Sequence, residues 1–461
     1  MSMFNWQVVE PAPGQPVAPQ QRLPWGRTIG LGAQHVVAMF GATFVFPIVM
    51  GLDPNLAIMF SGICTILFLL IVHNRVPSYL GTSASFVASV AAIRGHTGAD
   101  SADVTGAILV AGLVLLIVGV IVHFAGAGVI HKVLPPAVTG AVVMLIGFNL
   151  APVVAGTYWP QDQWVGLLTA TFMVGAAVLL PGFWARIAVF LALIFGYLIS
   201  WFADVLFGQI KSMQPGQHLN AAGVAQPFLH DRVSWAGVQA ADWIGLPSGK
   251  LADGVSVVHG PSFSLTFILL VLPGVIALIA ENTGHVKAVA EMTGENLDPY
   301  MGRALGADGF ATALASAFGG SPTTTYAENI GVMASTKVYS TAAYYVAAVV
   351  AILLGLCPKF GAIVSATPGG VLGGITVVLY GMIGLVGAKI WVENGVDFGN
   401  PVNMVGLAGG IIAGIGGVTL TITDNFSLGG IALGTILVIV YFHLVKGKKE
   451  ELGANEVTEA L

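Results

Sequence analysis

Long apolar runs, broken only by short Gly, Pro or charged punctuation, recur along almost the whole chain. A helix needs about twenty such residues to cross a bilayer, and the spacing predicts about fourteen spans. They begin near Thr28, Leu56, Pro77, Val104, Lys132, Trp164, Ala185, Ser264, Arg303, Pro322, Val338, Thr367, Pro401 and Phe426. Of the 461 residues 56% are hydrophobic and only 8% charged, where a soluble domain carries about 25% charged. That deficit makes the chain an all-α polytopic membrane protein, with membrane lipid as its surroundings. A net charge of −5 without a basic stripe speaks against a nucleic-acid partner. Cys64 and Cys357 lie in apolar context without metal or redox spacing, so they read as small packing residues and no metal site is expected.

The polar N-terminus (1–26) is rich in Pro and Gln and lacks the basic start, apolar stretch and cleavage site of a signal peptide. It is expected to be a disordered tail. One long connection, 208–262, should lie outside the membrane as a compact or partly mobile loop, and 447–461 forms a second tail. With fourteen spans, twelve Lys and Arg fall on the side of the termini and five on the other. The excess predicts cytoplasmic termini.

Internal similarity adds a second constraint. Pro135-Pro136-Ala137-Val138-Thr139-Gly140 matches Pro368-Gly369-Gly370-Val371-Leu372-Gly373 in pattern at an offset of 233 residues. The interrupted third span, Ser78 to Phe86, precedes the interrupted tenth, Thr323 to Glu328, by about 240 residues, and Gln34-His35 precedes Glu281 similarly. Two seven-span halves must be inverted relative to one another, because seven is odd. Paired interrupted segments point to a transporter's central site.

Glu328 begins the second half of the tenth span, and Glu281 lies on another apolar run. Even low insertion estimates put an acid at a helix centre at about 2.5–3.5 kcal/mol, so an intramembrane carboxylate marks a functional site. Unwound backbone at bilayer depth survives only where it lines a cavity. Glu281 and Glu328 would then accept from a planar ligand bearing N–H groups, beside free backbone groups and half-helix N-termini. Burial disfavours a carboxylate's charged form, so solute and proton affinities can be coupled. Asp308 in the ninth span, His285 and His35 are further candidates for handling that proton, or else polar residues satisfied within the bundle. Tyr326 and Phe86 read equally as packing or stacking residues.

These residues resemble the nucleobase–ascorbate (nucleobase:cation symporter-2) transporters. Glu328-Asn329-Ile330-Gly331 followed by Thr336-Lys337 is similar to that family's tenth-span signature, with Asn329, Gly331, Thr336 and Lys337 as its fixed positions. Glu281-Asn282-Thr283-Gly284-His285 resembles its eighth-span motif, and Gln34-His35 with Ala38 to Thr43 its first span. The similarity runs from about Leu23 to Lys446. It implies short extended strands in spans 3 and 10. It also implies a core domain (27–130 and 263–357) moving against a gate domain (131–207 and 358–446), with a homodimer through the gates. It places the base against Glu281 and Glu328, with Ala327, His285, Tyr326, Ala84, Ser85 and Phe86 nearby. An acid at 328 points to the uracil branch, whereas Ala84 stands where better-known uracil permeases carry Phe.

The expectation is therefore import of uracil by proton symport, in a cell (inner) membrane, with no cofactor beyond the coupling proton. A wider pocket admitting thymine or xanthine, or an anion carrier of the same general fold, are the rivals. No repeated ring of pore-lining groups suggests a channel, and no His-Glu-x-x-His motif suggests an enzyme.

Overall fold

Helices start and stop where the sequence punctuates them. The computed structural model describes residues 4–12, 15–213, 226–423 and 426–459. Helix α1 (Trp25–Met50) ends at Gly51, whose φ of 71° closes it in the left-handed region. Helix α2 (Pro54–Ile71) has Pro at its first position and Asp53 as cap, accepting from Leu56 N at 2.7 Å. Strand β1 (Leu80–Thr82) and α3 (Val87–Arg94) share the third expected span. Helix α4 (Ser101–Ala125) opens with a capping box between Asp100 and Asp103. Then come α5 (Pro136–Phe148), α6 (Gln163–Leu179) and α7 (Ala188–Phe207).

The second half also opens helix–helix–strand–helix. It contains α8 (Leu265–Thr293), α9 (Asp298–Ala317), β2 (Thr323–Thr325) and α10 (Ala327–Thr336). Helices α11 (Thr341–Gly355), α12 (Pro358–Ser365), α13 (Gly369–Glu393), α14 (Pro401–Ile415) and α15 (Gly430–Glu459) complete it. Helix α15 continues beyond 446, where the C-terminal tail was expected to begin.

Among the described residues, seven helices are long and apolar enough to cross a membrane, or eight if α11 and α12, bent by 82°, are one span. The protein is therefore a multi-pass membrane protein. The other expected spans are short or polar: α6 and α14 have 17 and 15 residues, and the third and tenth are split by strands.

Packing sorts the helices into two groups. Helices α1, α2, α4, α8, α9 and α11 pack on one another, while α5, α6, α7, α13, α14 and α15 form the other set. Contacts of α1 with α7, and of α8 with α5 and α15, join them. A close seam runs between α4 and α9, where a methyl at Gly119 would lie 2.2 Å from Gly306 N. Only glycine lets the backbones approach so closely.

The N-terminal segment corrects its expectation: the described part is ordered and docked. Val17 is fully buried, donates its N–H to Lys337 O at 2.9 Å and accepts from Tyr339 N at 2.8 Å. Trp6 donates to Thr341 Oγ1 at 2.8 Å and meets Tyr345 edge-on. Its polar composition conceals these few apolar anchors, whose burial and hydrogen bonds offset the chain entropy lost on docking.

The 208–262 connection is tied to both helix groups. Arg232 bridges Asp162 (2.6 Å) and Asp204 (3.0 Å) on α7 and beside α6, while Asp253 holds Arg94 (3.1 Å) and Ser101 Oγ (2.5 Å) beside α3 and α4. Residues 214–225 of that loop lie outside the described residues. Arg232→Ala would leave two largely buried carboxylates without their cation, and should destabilise the protein by about 3 kcal/mol. Chemical denaturation of the purified variant checks this; unchanged stability would show that the bridge is dispensable.

Candidate functional site

Strands β1 and β2 run antiparallel at the heart of the first helix group, pairing Leu80 with Thr325, Gly81 with Thr324 and Thr82 with Thr323. All six residues are buried. The three consecutive threonines favour extended backbone, and the strand edges find partners on neighbouring helices. Leu80 N donates to Thr65 Oγ1 on α2 at 2.9 Å, and Thr323 N to Thr312 Oγ1 on α9 at 3.1 Å. Ser83 N reaches Pro322 O at 2.9 Å, and Tyr326 N reaches Tyr79 O at 3.0 Å. Short strands at membrane depth are stable here because partners meet their backbone groups.

Each strand is followed by a helix start. After β1, Ser83 caps a turn of 3-10 helix (Ala84–Phe86) that leads into α3. After β2, Tyr326 leads directly into α10, with Glu328 in its first turn. The opening N–H groups of both have no i−4 carbonyl and carry partial positive charge.

Glu281 on α8 and Glu328 on α10 are both half-buried, and Glu281 lies within electrostatic reach of Glu328 and Asp308. The glutamates flank the strand–helix junction. Ala327 is exposed and Ala84 half-buried at the two helix starts.

His285 and Asp308 are joined by a hydrogen-bond chain. His285 Nδ1 lies 2.7 Å from Thr325 Oγ1, which donates to Asn282 Oδ1 at 2.8 Å. The Asn282 amide then donates to Asp308 Oδ2 at 2.6 Å. Asp308 is fully buried, and its Oδ1 has no protein partner among the described residues.

The other candidates lie in the frame. His35 is buried, accepting from Asn329 Nδ2 at its backbone oxygen (2.9 Å) and lying 3.2 Å from it at Nδ1. Its ring packs at 4.3 Å on Tyr344. These contacts fasten α10 to α1 and α11. Phe86 is buried against Gly274 of α8, and Ser85 is buried above it. Tyr326 is buried, donating to Thr82 O at 2.8 Å and accepting from Thr43 Oγ1 at 3.2 Å. Thr336 closes the last turn of α10 by donating to Val332 O at 2.9 Å, and Lys337 terminates it at φ 56°. Gly331 is half-buried on the same helix. The tenth-span motif thus largely builds and anchors α10.

Sequence reasoning missed Thr43, Thr65, Thr312, Thr325 and Asn282 as site-forming residues. The available signal was uncharged polar side chains within apolar runs, each obliged to find a hydrogen bond there.

The chain's relatives fit this architecture. The profile of the Permease family matches residues 26–423. The Escherichia coli (strain K12) protein named "Putative pyrimidine permease RutG" is 41% identical over 99% of each chain. The uracil permease of Bacillus caldolyticus is 33% identical, covering 94% of this chain and 95% of its own. The uracil permease of E. coli (strain K12) is 32% identical over 90% and 91%. Among solved structures, the transmembrane domain of the cyanobacterial bicarbonate transporter BicA has TM-score 0.54 at 14% identity, over 91% of this chain and 96% of that one. The murine Slc26a9 anion transporter in the inward-facing state has TM-score 0.63 at 11% identity, over 92% and 68%. These two show the fold alone. The chain belongs to the Permease family, as a nucleobase–ascorbate transporter of the kind that includes the bacterial uracil and pyrimidine permeases. It is a transporter rather than an enzyme.

Gly81 tests the site's construction. A methyl there would lie 2.5 Å from the Tyr326 ring and 2.6 Å from Thr43 Oγ1. Gly81→Ala should cost about 1–3 kcal/mol of stability through overpacking and shift the melting curve down; an unchanged curve would contradict the packing.

Proposed function

We propose that the protein carries uracil across the inner membrane together with a proton, by alternating access. One observation carries this reading: Glu281 and Glu328 flank a paired-strand break whose two helix starts supply N–H donors. Uracil has two N–H donors and two carbonyl acceptors, so carboxylates and backbone N–H groups complement it. The names of the uracil and pyrimidine permeases that align over nearly the full chain support that choice.

The chain from His285 through Thr325 and Asn282 to Asp308 supports proton coupling, since it links a buried acid to a ring beside the glutamates. Movement is supported by the two helix groups, which meet through few helices. Ala327, Ala334 and Ser335 leave one face of α10 exposed, and Gly284, Lys287 and Glu291 one face of α8. Both faces run from the glutamates toward the end bearing the N-terminal segment, while Thr82, Ser83 and Ser85 on the other side are buried. With cytoplasmic termini, as the Lys and Arg distribution favours, this is an inward-facing arrangement.

Ala84 favours a second reading, in which the pocket also accepts a larger base such as xanthine, because only a methyl projects from that helix start. An anion substrate fits less well: two neighbouring carboxylates repel it.

Uptake of labelled uracil into proteoliposomes, with and without an inward proton gradient, tests the proposal. The gradient should drive accumulation. Glu281→Gln and Glu328→Gln should each weaken uracil binding by tenfold or more, the effect of losing a charged hydrogen bond of about 1.5–3 kcal/mol. Near wild-type accumulation in both variants would refute the site. Competition by excess xanthine would decide for the wider pocket.

A further inference from the structure

A groove of about 560 Å³ lies between α2, α4 and α9. By helical spacing, Gly306 and Phe310 sit on the face of α9 opposite Asp308, so the groove is separate from the site above. Its floor is the close seam of Gly119, Gly302 and Gly306, and Leu116, Val120 and Phe310 form apolar walls.

One end is cationic. There the end of α2, the end of α4 and the first turns of α9 bring together His73, His123 and Arg303. Arg303 Nη1 lies 2.9 Å from Nδ1 of His73. Among the described residues no ion pair involves Arg303. His73 is presented by a left-handed turn, φ 55°, just past the end of α2. Phe124, beside the cationic end, is 84% exposed, a placement suited to hydrocarbon.

We propose that this groove binds a phospholipid with an anionic headgroup, its phosphate on Arg303 between the two histidines and one acyl chain along the glycine floor. From Arg303 to Phe310 the groove follows seven residues of helix, about 10 Å, which takes the headgroup-proximal part of an acyl chain. The chemistry agrees too, since a guanidinium fork matches phosphate oxygens and helix ends place the cation at the level where headgroups lie. The site is on the side of the membrane that carries the N-terminal segment, and it requires no particular transported solute.

Native mass spectrometry of the delipidated full-length protein tests it, titrating phosphatidylglycerol, phosphatidylcholine and inorganic phosphate separately. Phosphatidylglycerol should bind about tenfold more tightly than phosphatidylcholine, and inorganic phosphate should not be retained. Arg303→Gln should abolish the preference and Arg303→Lys keep most of it. Val120→Trp, which fills the groove but spares the cationic end, should displace phosphatidylglycerol even if Arg303→Gln fails to fold. Equal binding of the two lipids, retention of inorganic phosphate alone, or undiminished phosphatidylglycerol binding by Val120→Trp would overturn the proposal.

Discussion

The pairing of Leu80–Thr82 with Thr323–Thr325 is the constraint on which the rest depends. Backbone freed from helix at bilayer depth is costly unless every N–H and C=O finds a partner. Here two interrupted segments from distant parts of the chain satisfy one another, and Thr65 and Thr312 satisfy their outer edges. The arrangement starts two helices in mid-bundle. It brings the first turn of α10, with Glu328, alongside α8, with Glu281. Tyr326 seals the junction by packing over Gly81 and donating to Thr82 O. The polar site follows from how the chain satisfies its own backbone.

Around this centre, two segments outside the helices tie down what the helices leave loose. The N-terminal segment extends across the end of α10 and the start of α11, holding Lys337 and Tyr339 through backbone hydrogen bonds. The 208–262 connection grips Asp162 and Asp204 through Arg232, and Arg94 and Ser101 through Asp253, so one loop spans both helix groups. Any motion of one group against the other must be accommodated by this loop, or by the bonds that anchor it.

Much of this was legible in the sequence because lipid leaves few choices. The charge deficit and apolar spacing specify a helical membrane protein, and paired Gly- and Thr-rich interruptions specify where helix must give way. Glu281, Glu328 and Asp308 stood out because acids in apolar runs are expensive. What escaped notice was the division of labour. His35 and Asn329 hydrogen-bond one another and so lock α10 to α1. Asn282 and Thr325 look like background, yet they connect His285 to Asp308. A polar residue in an apolar run must bond to something, but its local sequence does not say whether to a ligand, an acid or a neighbouring helix. The N-terminal segment misled for a related reason: few of its residues are apolar, and those few make the contacts. Among the described residues seven or eight helices are long and apolar enough to cross alone, and the other expected spans are short, polar or interrupted.

The central claim is that the strand–helix junction, with Glu281 and Glu328, is where a nucleobase sits. The most direct measurement is an experimental structure of the protein with uracil bound. The account predicts density for the ring between the starts of α10 and of the Ala84–Phe86 turn, with both glutamate side chains within hydrogen-bonding distance of its edge. Uracil density elsewhere in the bundle, with both glutamates turned to protein partners, would contradict it.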